Sequence, residues 1–322
     1  MIKCGFPSVC NIKVFPPIVK IDLRLHPKIK NTMNRVSKRL LALSESETLA
    51  MARRTRELKA QGKDIVSLSL GEPDYDTPDF IKNAAKKAID DNVTHYPPVA
   101  GFQELRDTIS MKFKRDNQLD YKADQIVVST GAKQSIANTV LSLINPGDEV
   151  LLPAPYWVSY IEIIKLAGGI PVVIYAGIEQ DFKVSPAQIR QHITEKSRLL
   201  IFSTPCNPTG SVYTRAELQA LADVVLENEQ LLVLSDEIYE HIRFEGEHCS
   251  IASLPGMIDR TITVNGLSKS FAMTGWRLGY IGAPKWIADA CDKFQGQITS
   301  GTCTITQKAA IAALEADPDQ VQ

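Results

Sequence analysis

The chain has 322 residues, with 36 basic and 37 acidic side chains and a net charge of −1. Its residues are 44% hydrophobic and 23% charged, an ordinary globular balance without the charge excess that marks a nucleic-acid or membrane partner. The six cysteines (Cys4, Cys10, Cys206, Cys249, Cys291 and Cys303) form no C-x-x-C pair, and no apolar run is long enough to span a bilayer.

In a chain of this length such cysteines read as reduced thiols, expected in a cytoplasmic, reducing compartment. Residues 1–32 mix Lys, Pro and apolar residues without a period. They lack an apolar h-region and a small-residue cleavage site, so they read as an accessory or mis-called extension before Met33, with a transit peptide as the alternative.

The first periodic segment, Ser46 to Leu58, reads as an amphipathic helix stopped by Gly62. Ile65 to Leu70 reads as a strand running into the loop Gly71-Glu72-Pro73-Asp74. Pro78 to Asp91 is the next expected helix, with proline in its first turn. From there strands and helices alternate. Strands are expected at Gln125–Thr130, Glu149–Leu152, Ile170–Tyr175, Leu199–Ser203, Leu231–Ser235 and Thr261–Val264. Helices are expected at Ala132–Ile144, Trp157–Ala167, Arg215–Asn228 and Thr302–Ala316. This alternation implies an α/β fold with a mostly parallel central sheet covered by helices on both faces, and ligands at the carboxyl ends of its strands.

Polar motifs fall at those ends. Thr130-Gly131-Ala132-Lys133 lets backbone N–H groups approach an anion at a helix N-terminus. Tyr156-Trp157 offers a ring to stack on a planar group. Asn207-Pro208-Thr209-Gly210 aims an amide from a rigid turn. Ser235-Asp236-Glu237-Ile238-Tyr239 ends a strand on a carboxylate able to pair with a ring nitrogen. Ser268-Lys269-Ser270, with Arg277 eight residues after the lysine, supplies an amine among hydroxyls with a guanidinium nearby. Each motif alone also suits a plain turn, a helix cap, a core aromatic or a surface lysine. Together they supply every group that seats pyridoxal 5'-phosphate: phosphate cradle, ring face, ring oxygen, ring nitrogen and aldehyde.

In the stretches SLGEPDYDTP, HYPPVAGFQELR, STGAKQ, APYWVSY, STPCNPTG, SDEIYE and NGLSKSFAMTGWRLGY the chain resembles class I/II aminotransferases of the aspartate aminotransferase type, which have the fold type I architecture of pyridoxal-phosphate transferases. The resemblance runs from about residue 33 to 322. It implies a small-domain portion at 33–79 and a large cofactor-binding domain at 80–322. It also implies that Lys269 is the Schiff-base lysine and Asp236 the partner of the pyridine nitrogen. Asn207 and Tyr239 bind the ring hydroxyl, and Trp157 stacks on the ring. Gly131, Ala132, Ser268 and Arg277 fall on phosphate-cradle positions. Tyr96 resembles the tyrosine that reaches the neighbouring subunit's cofactor, which implies a homodimer with shared sites. Gly71, Lys133, Thr48, Trp157 and Asn207 fall on substrate-proximal positions, with Lys133 placed to meet a distal carboxylate.

The implied reaction is transamination between an L-amino acid, aspartate or glutamate first, and a 2-oxo acid, with Lys269 also carrying the Cα proton. No metal is implied. Prephenate or aromatic amino acids are the alternative substrates, a C–S lyase the alternative reaction, and a non-catalytic fold fragment the alternative from another class. The resemblance also implies a C-terminal part of the small domain with an arginine that clamps the substrate α-carboxylate. No arginine before Gln322 matches that context. The expectation is a chain that seats cofactor but transaminates poorly.

Overall fold

The computed structural model describes residues 36–45, 47–68 and 71–316, without the side chains of residues 47–49. The readings for residues 1–32 and for Met33 lie outside that set. The chain divides into two units, Met1–Leu41 and Ala42–Gln322. The described part of the first holds α1 (Lys38–Leu41), which has no buried residue.

The second unit holds the remaining elements. Helix α2 spans Glu47–Ala60 and buries Ala52 while Met51 stays exposed. Helix α3 (Asp79–Asp90) buries Ile81, Ala85 and Ala88, which share one face at helical spacing. Asp79 in its first turn and Lys87 in its last complement the helix dipole. Helix α4 (Gln103–Asn117) buries Leu105, Ile109 and Phe113 along one stripe, together with the charged Lys112.

Strands and helices then alternate: β1 (Ile126–Ser129), α5 (Ala132–Leu143), β2 (Glu149–Ala154), α6 (Ser159–Ala167), β3 (Ile170–Tyr175), α7 (Pro186–His192), β4 (Ser197–Ser203), α8 (Arg215–Leu226) and β5 (Leu232–Asp236). They are followed by β6 (Thr261–Gly266), β7 (Gly279–Gly282), α9 (Lys285–Ile298) and α10 (Thr304–Glu315). Helix α8 starts on a reciprocal cap, in which the Thr214 hydroxyl accepts from the Glu217 N–H and the Glu217 side chain accepts from the Thr214 N–H.

The strands form one sheet in the order β1-β7-β6-β5-β4-β2-β3. All pairings are parallel except those of β7, which runs antiparallel to both β1 and β6. Alternate side chains of the central strands enter opposite cores. Leu199, Ile201 and Leu234 pack in one cluster with Ile136 and Ile164, while Leu200, Phe202 and Val233 pack in another with Leu221 and Val225. Both faces are therefore dry, which is why these strands read as continuous apolar runs.

The expected strand at Ile65–Leu70 is not found. Residues 65–68 have no regular structure, Val66 and Leu68 are 83% and 91% exposed, and Ser69 and Leu70 lie outside the described residues. The local alternation is present, but among the described residues no neighbouring strand pairs with it. Asp236 stands at the strand's end as expected, as the last residue of β5, one residue beyond the expected limit at Ser235.

Candidate active site

The register fixes the floor of the site. Ser203 at the end of β4 pairs with Asp236 at the end of β5, and Asp236 pairs with Val264 in β6. These carboxyl ends lie at one level and open into a cavity of about 1400 Å³. Its walls include Gly71, Ala132, Lys133, Trp157 and Asn207, and also Asp236, Tyr239, Ser268, Lys269 and Arg277.

Asp236 is buried at the bottom. Its Oδ2 accepts from the Tyr160 hydroxyl at 2.6 Å and its Oδ1 from the Ile238 N–H at 3.3 Å. Burial raises its pKa from 3.8 to about 6, with Tyr160 and Ile238 opposing the rise. The Tyr160 hydroxyl is itself buried and held well above its ordinary pKa, by burial first and by Asp236 next, so it keeps the proton it donates to Asp236. Beside Asp236, the Asn207 amide donates to the Tyr239 hydroxyl at 3.5 Å.

Lys269 is half-buried. Its Nζ donates to the Gly71 carbonyl and lies 5.6 Å from the centre of the Tyr239 ring. Burial lowers its pKa, Arg277 adds to that, and Glu72 and Asp236 oppose it. The backbone around it is tied to the loop before α3. The Tyr75 hydroxyl donates to the Ser270 carbonyl, the Thr77 hydroxyl to the Ala272 carbonyl, and the Thr274 hydroxyl to Glu72 Oε1. Two motifs far apart in sequence, GEPDYDT and SFAMTGW, are thus joined side by side.

Arg277 has a left-handed φ of 57°, and its Nη1 donates to the Thr274 carbonyl. The guanidinium lies against Gly131, the residue before α5, whose φ is 85°. A Cβ at Gly131 would overlap Arg277 Nη2. A Cβ at Gly279 would overlap the Ala132 backbone nitrogen. These two glycines let the start of α5, the arginine and β7 close into one cradle of N–H donors and positive charge.

At the other wall, the Trp157 and Tyr160 rings meet edge to face at 5.4 Å. Lys133 Nζ lies 4.8 Å from the centre of the Trp157 ring. Its pKa is lowered, by burial first and by Arg277 second. Arg243 also lines the cavity, with its guanidinium donating to the carbonyls of Glu240 and Gly246. Tyr96 is 98% exposed and does not line this cavity. Thr48 lies in α2, and its side chain is outside the described residues.

Every other site residue expected from sequence lines this one cavity except Gly131, which lies against the guanidinium of the cavity residue Arg277. Sequence reasoning missed Tyr160, Glu72 and Arg243. Tyr160 carried a signal, since it stands three residues after Trp157 and shares its turn.

A mostly parallel sheet with one reversed strand, carrying a lysine and a buried aspartate on the wall of one cavity beside such a cradle, defines an α/β transferase-like scaffold. The chain belongs to the family described as aminotransferase class I and II, whose model matches residues 63–322. It is 50% identical over 297 residues to a bifunctional aspartate aminotransferase and glutamate/aspartate-prephenate aminotransferase of Petunia hybrida, covering 92% of this chain and 60% of that protein. It is 50% identical to an aspartate aminotransferase of Pinus pinaster, covering 87% of this chain and 57% of that protein. The structure superposes on aspartate aminotransferase from Thermus thermophilus with maleate at a TM-score of 0.85, with 41% identity, 87% of this chain and 72% of that one. The chain thus spans about 60% of the length of these two plant relatives.

The family's cofactor is pyridoxal 5'-phosphate, and the residues present fit it. The glycine-lined cradle at Arg277 suits a phosphate. A buried carboxylate with two donors suits a cationic ring nitrogen. A half-buried amine with lowered pKa suits an aldehyde. Among the described residues no helix is long and apolar enough to cross a membrane.

Proposed function

We propose that this chain supports pyridoxal-phosphate-dependent transamination between an acidic L-amino acid and a 2-oxo acid, within a homodimer that shares its active sites. The observation that carries the reading is the convergence of Asp236, from the end of β5, with Lys269 and Arg277, from the β6–β7 connection, on one cavity.

When bound, the cofactor supplies an electron-withdrawing ring that makes the substrate Cα proton acidic. The chain's own residues do the rest. Gly131, Ala132, Ser268 and Arg277 hold the phosphate. Asp236 keeps a negative charge at the ring nitrogen, while Asn207 and Tyr239 orient the ring through its hydroxyl. Trp157 forms the wall on which the ring rests. The Lys269 amine, whose pKa burial lowers, is the group placed to take the Cα proton and return it at the neighbouring carbon. Lys133 offers a point charge to the distal carboxylate of aspartate or glutamate.

The names of the plant relatives and the maleate of the Thermus structure, a dicarboxylate, support an acidic substrate. A second reading adds prephenate. It is favoured by the name of the Petunia relative and by the exposed Ile242 and Phe244 on the cavity wall, which suit a larger apolar oxo acid. A cytoplasmic, reducing location accords with the free thiols of Cys206, Cys249, Cys291 and Cys303. Domains at 33–79 and 80–322 remain part of this reading.

The deciding experiment compares the wild-type protein with Lys269→Ala after addition of pyridoxal phosphate. The wild type should develop an absorbance band of covalently held cofactor and convert aspartate with 2-oxoglutarate at a low rate, and the variant should do neither. A band and turnover kept by Lys269→Ala would refute the assignment.

A further inference from the structure

The turn that ends β5 carries more than its two cavity residues. Asp236 and Tyr239 line the cavity, while Glu237 and Glu240 are buried, at 0% and 3% exposure, in a separate network of charges. On Glu240, Oε1 receives the Lys112 ammonium and Oε2 accepts from the Asn117 amide at 2.6 Å. Lys112 also donates to Asn117 Oδ1 at 2.7 Å, and Asp116 and His241 complete that group. On Glu237, Oε1 accepts from the Ser235 and Ser250 hydroxyls at 2.9 and 2.7 Å, and Oε2 meets His248 Nε2 at 2.9 Å. Three elements therefore grip one turn from behind: α4, the end of β5 and the 248–250 loop.

Charged groups in an interior are costly to bury, and well-packed apolar side chains would stabilise the fold at least as well. What buried ions add is direction, because each bond fixes one atom against another. Here the directed bonds fall on the two residues that alternate with Asp236 and Tyr239. Although Glu237, Glu240 and His248 bring three ligand-type atoms within 4.8 Å of one another, the Lys112 ammonium already supplies a positive charge there.

We propose that Lys112 and His248 are positioning residues for the cofactor: through Glu240 and Glu237 they preset the turn that carries Tyr239 and Asp236, before any ligand binds. His248 faces Glu237, Glu240 and Lys112. The two glutamates favour its protonated form and outweigh burial and Lys112. Its Nδ1 has no hydrogen-bond partner among the described residues. The role of the turn rests on the functional reading above, whereas its rigidity does not.

Two measurements test this. In the wild-type protein without cofactor, amide hydrogen exchange should be slow across Glu237–Glu240 and fast across Phe244–Glu247. Equal exchange in the two segments would overturn the proposal. Next come Lys112→Met/Glu240→Gln, which removes both charges and keeps an acceptor for Asn117, and His248→Gln. Each folded variant should bind pyridoxal phosphate about tenfold more weakly and shift the titration midpoint of its Lys269-dependent absorbance band. A merely structural role would lower the melting temperature and leave that midpoint in place. An unchanged midpoint with wild-type affinity in either folded variant overturns the proposal, and if neither variant folds the exchange pattern decides. Absence of the band from the wild type would instead count against the functional reading and leave the exchange test intact.

Discussion

The Tyr160 hydroxyl donates to Asp236 Oδ2 at 2.6 Å, and both side chains are buried. This bond partly offsets the cost of keeping a carboxylate in the interior. It does not remove that cost, since the Asp236 pKa still stands at about 6 against an ordinary 3.8. The folded chain thus binds the proton more tightly than the unfolded chain does. Stability from this group is greatest at low pH and falls as pH rises from about 4 to 6, by about 3 kcal/mol in all.

Asp236→Asn should therefore stabilise the cofactor-free protein at pH 7.5, by roughly 1–2 kcal/mol, because asparagine carries no charge and still accepts from Tyr160, though it gives up the long bond from the Ile238 N–H. That advantage should vanish toward pH 4. The same variant should bind pyridoxal phosphate at least about tenfold more weakly, since the ring nitrogen loses its anionic partner. Thermal melts across pH, paired with absorbance titration of the cofactor, check both halves. A destabilised Asn variant at pH 7.5 would contradict this electrostatic account.

Gly131→Ala probes the phosphate cradle. The new methyl meets the Arg277 guanidinium, and the residue is held at a φ of 85°, where alanine is strained. The expected result is a stability loss of about 1–2 kcal/mol and a larger loss of cofactor affinity, because Arg277 must move. Inorganic phosphate should protect the wild type from heat and protect Gly131→Ala much less. Equal protection would place the anion elsewhere.

These residues also show why parts of the chain were legible in its sequence. Asp236, Asn207 and Lys269 follow or end strands that are buried on both faces, so a continuous apolar run pointed directly at each polar residue. Strand β7 was missed because two of its four residues are glycine, and Gly279 is required by the approach of Ala132 rather than by any strand preference. Helix α4 was missed although Leu105, Ile109 and Phe113 are spaced at helical intervals. The error at Ile65–Leu70 is of another kind, since local alternation cannot supply the neighbouring strand that would hold it. Tyr160 and Glu240 act through contacts with residues distant in sequence, and those contacts exist only once the sheet has assembled.

Lys133→Met tests substrate choice apart from cofactor binding. Lys133 Nζ stands over the Trp157 ring and opens to the cavity, so methionine keeps much of its packing and removes its charge. Activity should fall by about tenfold or more on aspartate and only slightly on alanine, with pyridoxal phosphate affinity unchanged. Equal losses on the two amino acids would mean that Lys133 does not meet the distal carboxylate.

Tyr96 tests the shared site. A tyrosine that is 98% exposed and absent from its own chain's cavity has no evident role within one subunit. If it completes the partner's site, Tyr96→Ala should weaken pyridoxal phosphate binding despite its distance from Lys269. Subunits carrying Tyr96→Ala and Lys269→Ala should then complement each other. In a mixed dimer, one site combines an intact Lys269 with the partner's intact tyrosine, and the other site lacks both. Random reassortment of equal amounts should restore roughly a quarter of the tight, covalently occupied sites of the wild type. Unfolding and refolding the two variants together, then titrating with cofactor, gives the count. Separate refolding followed by mixing is the control, and a count no higher in the co-refolded sample would mean that each subunit builds its site alone.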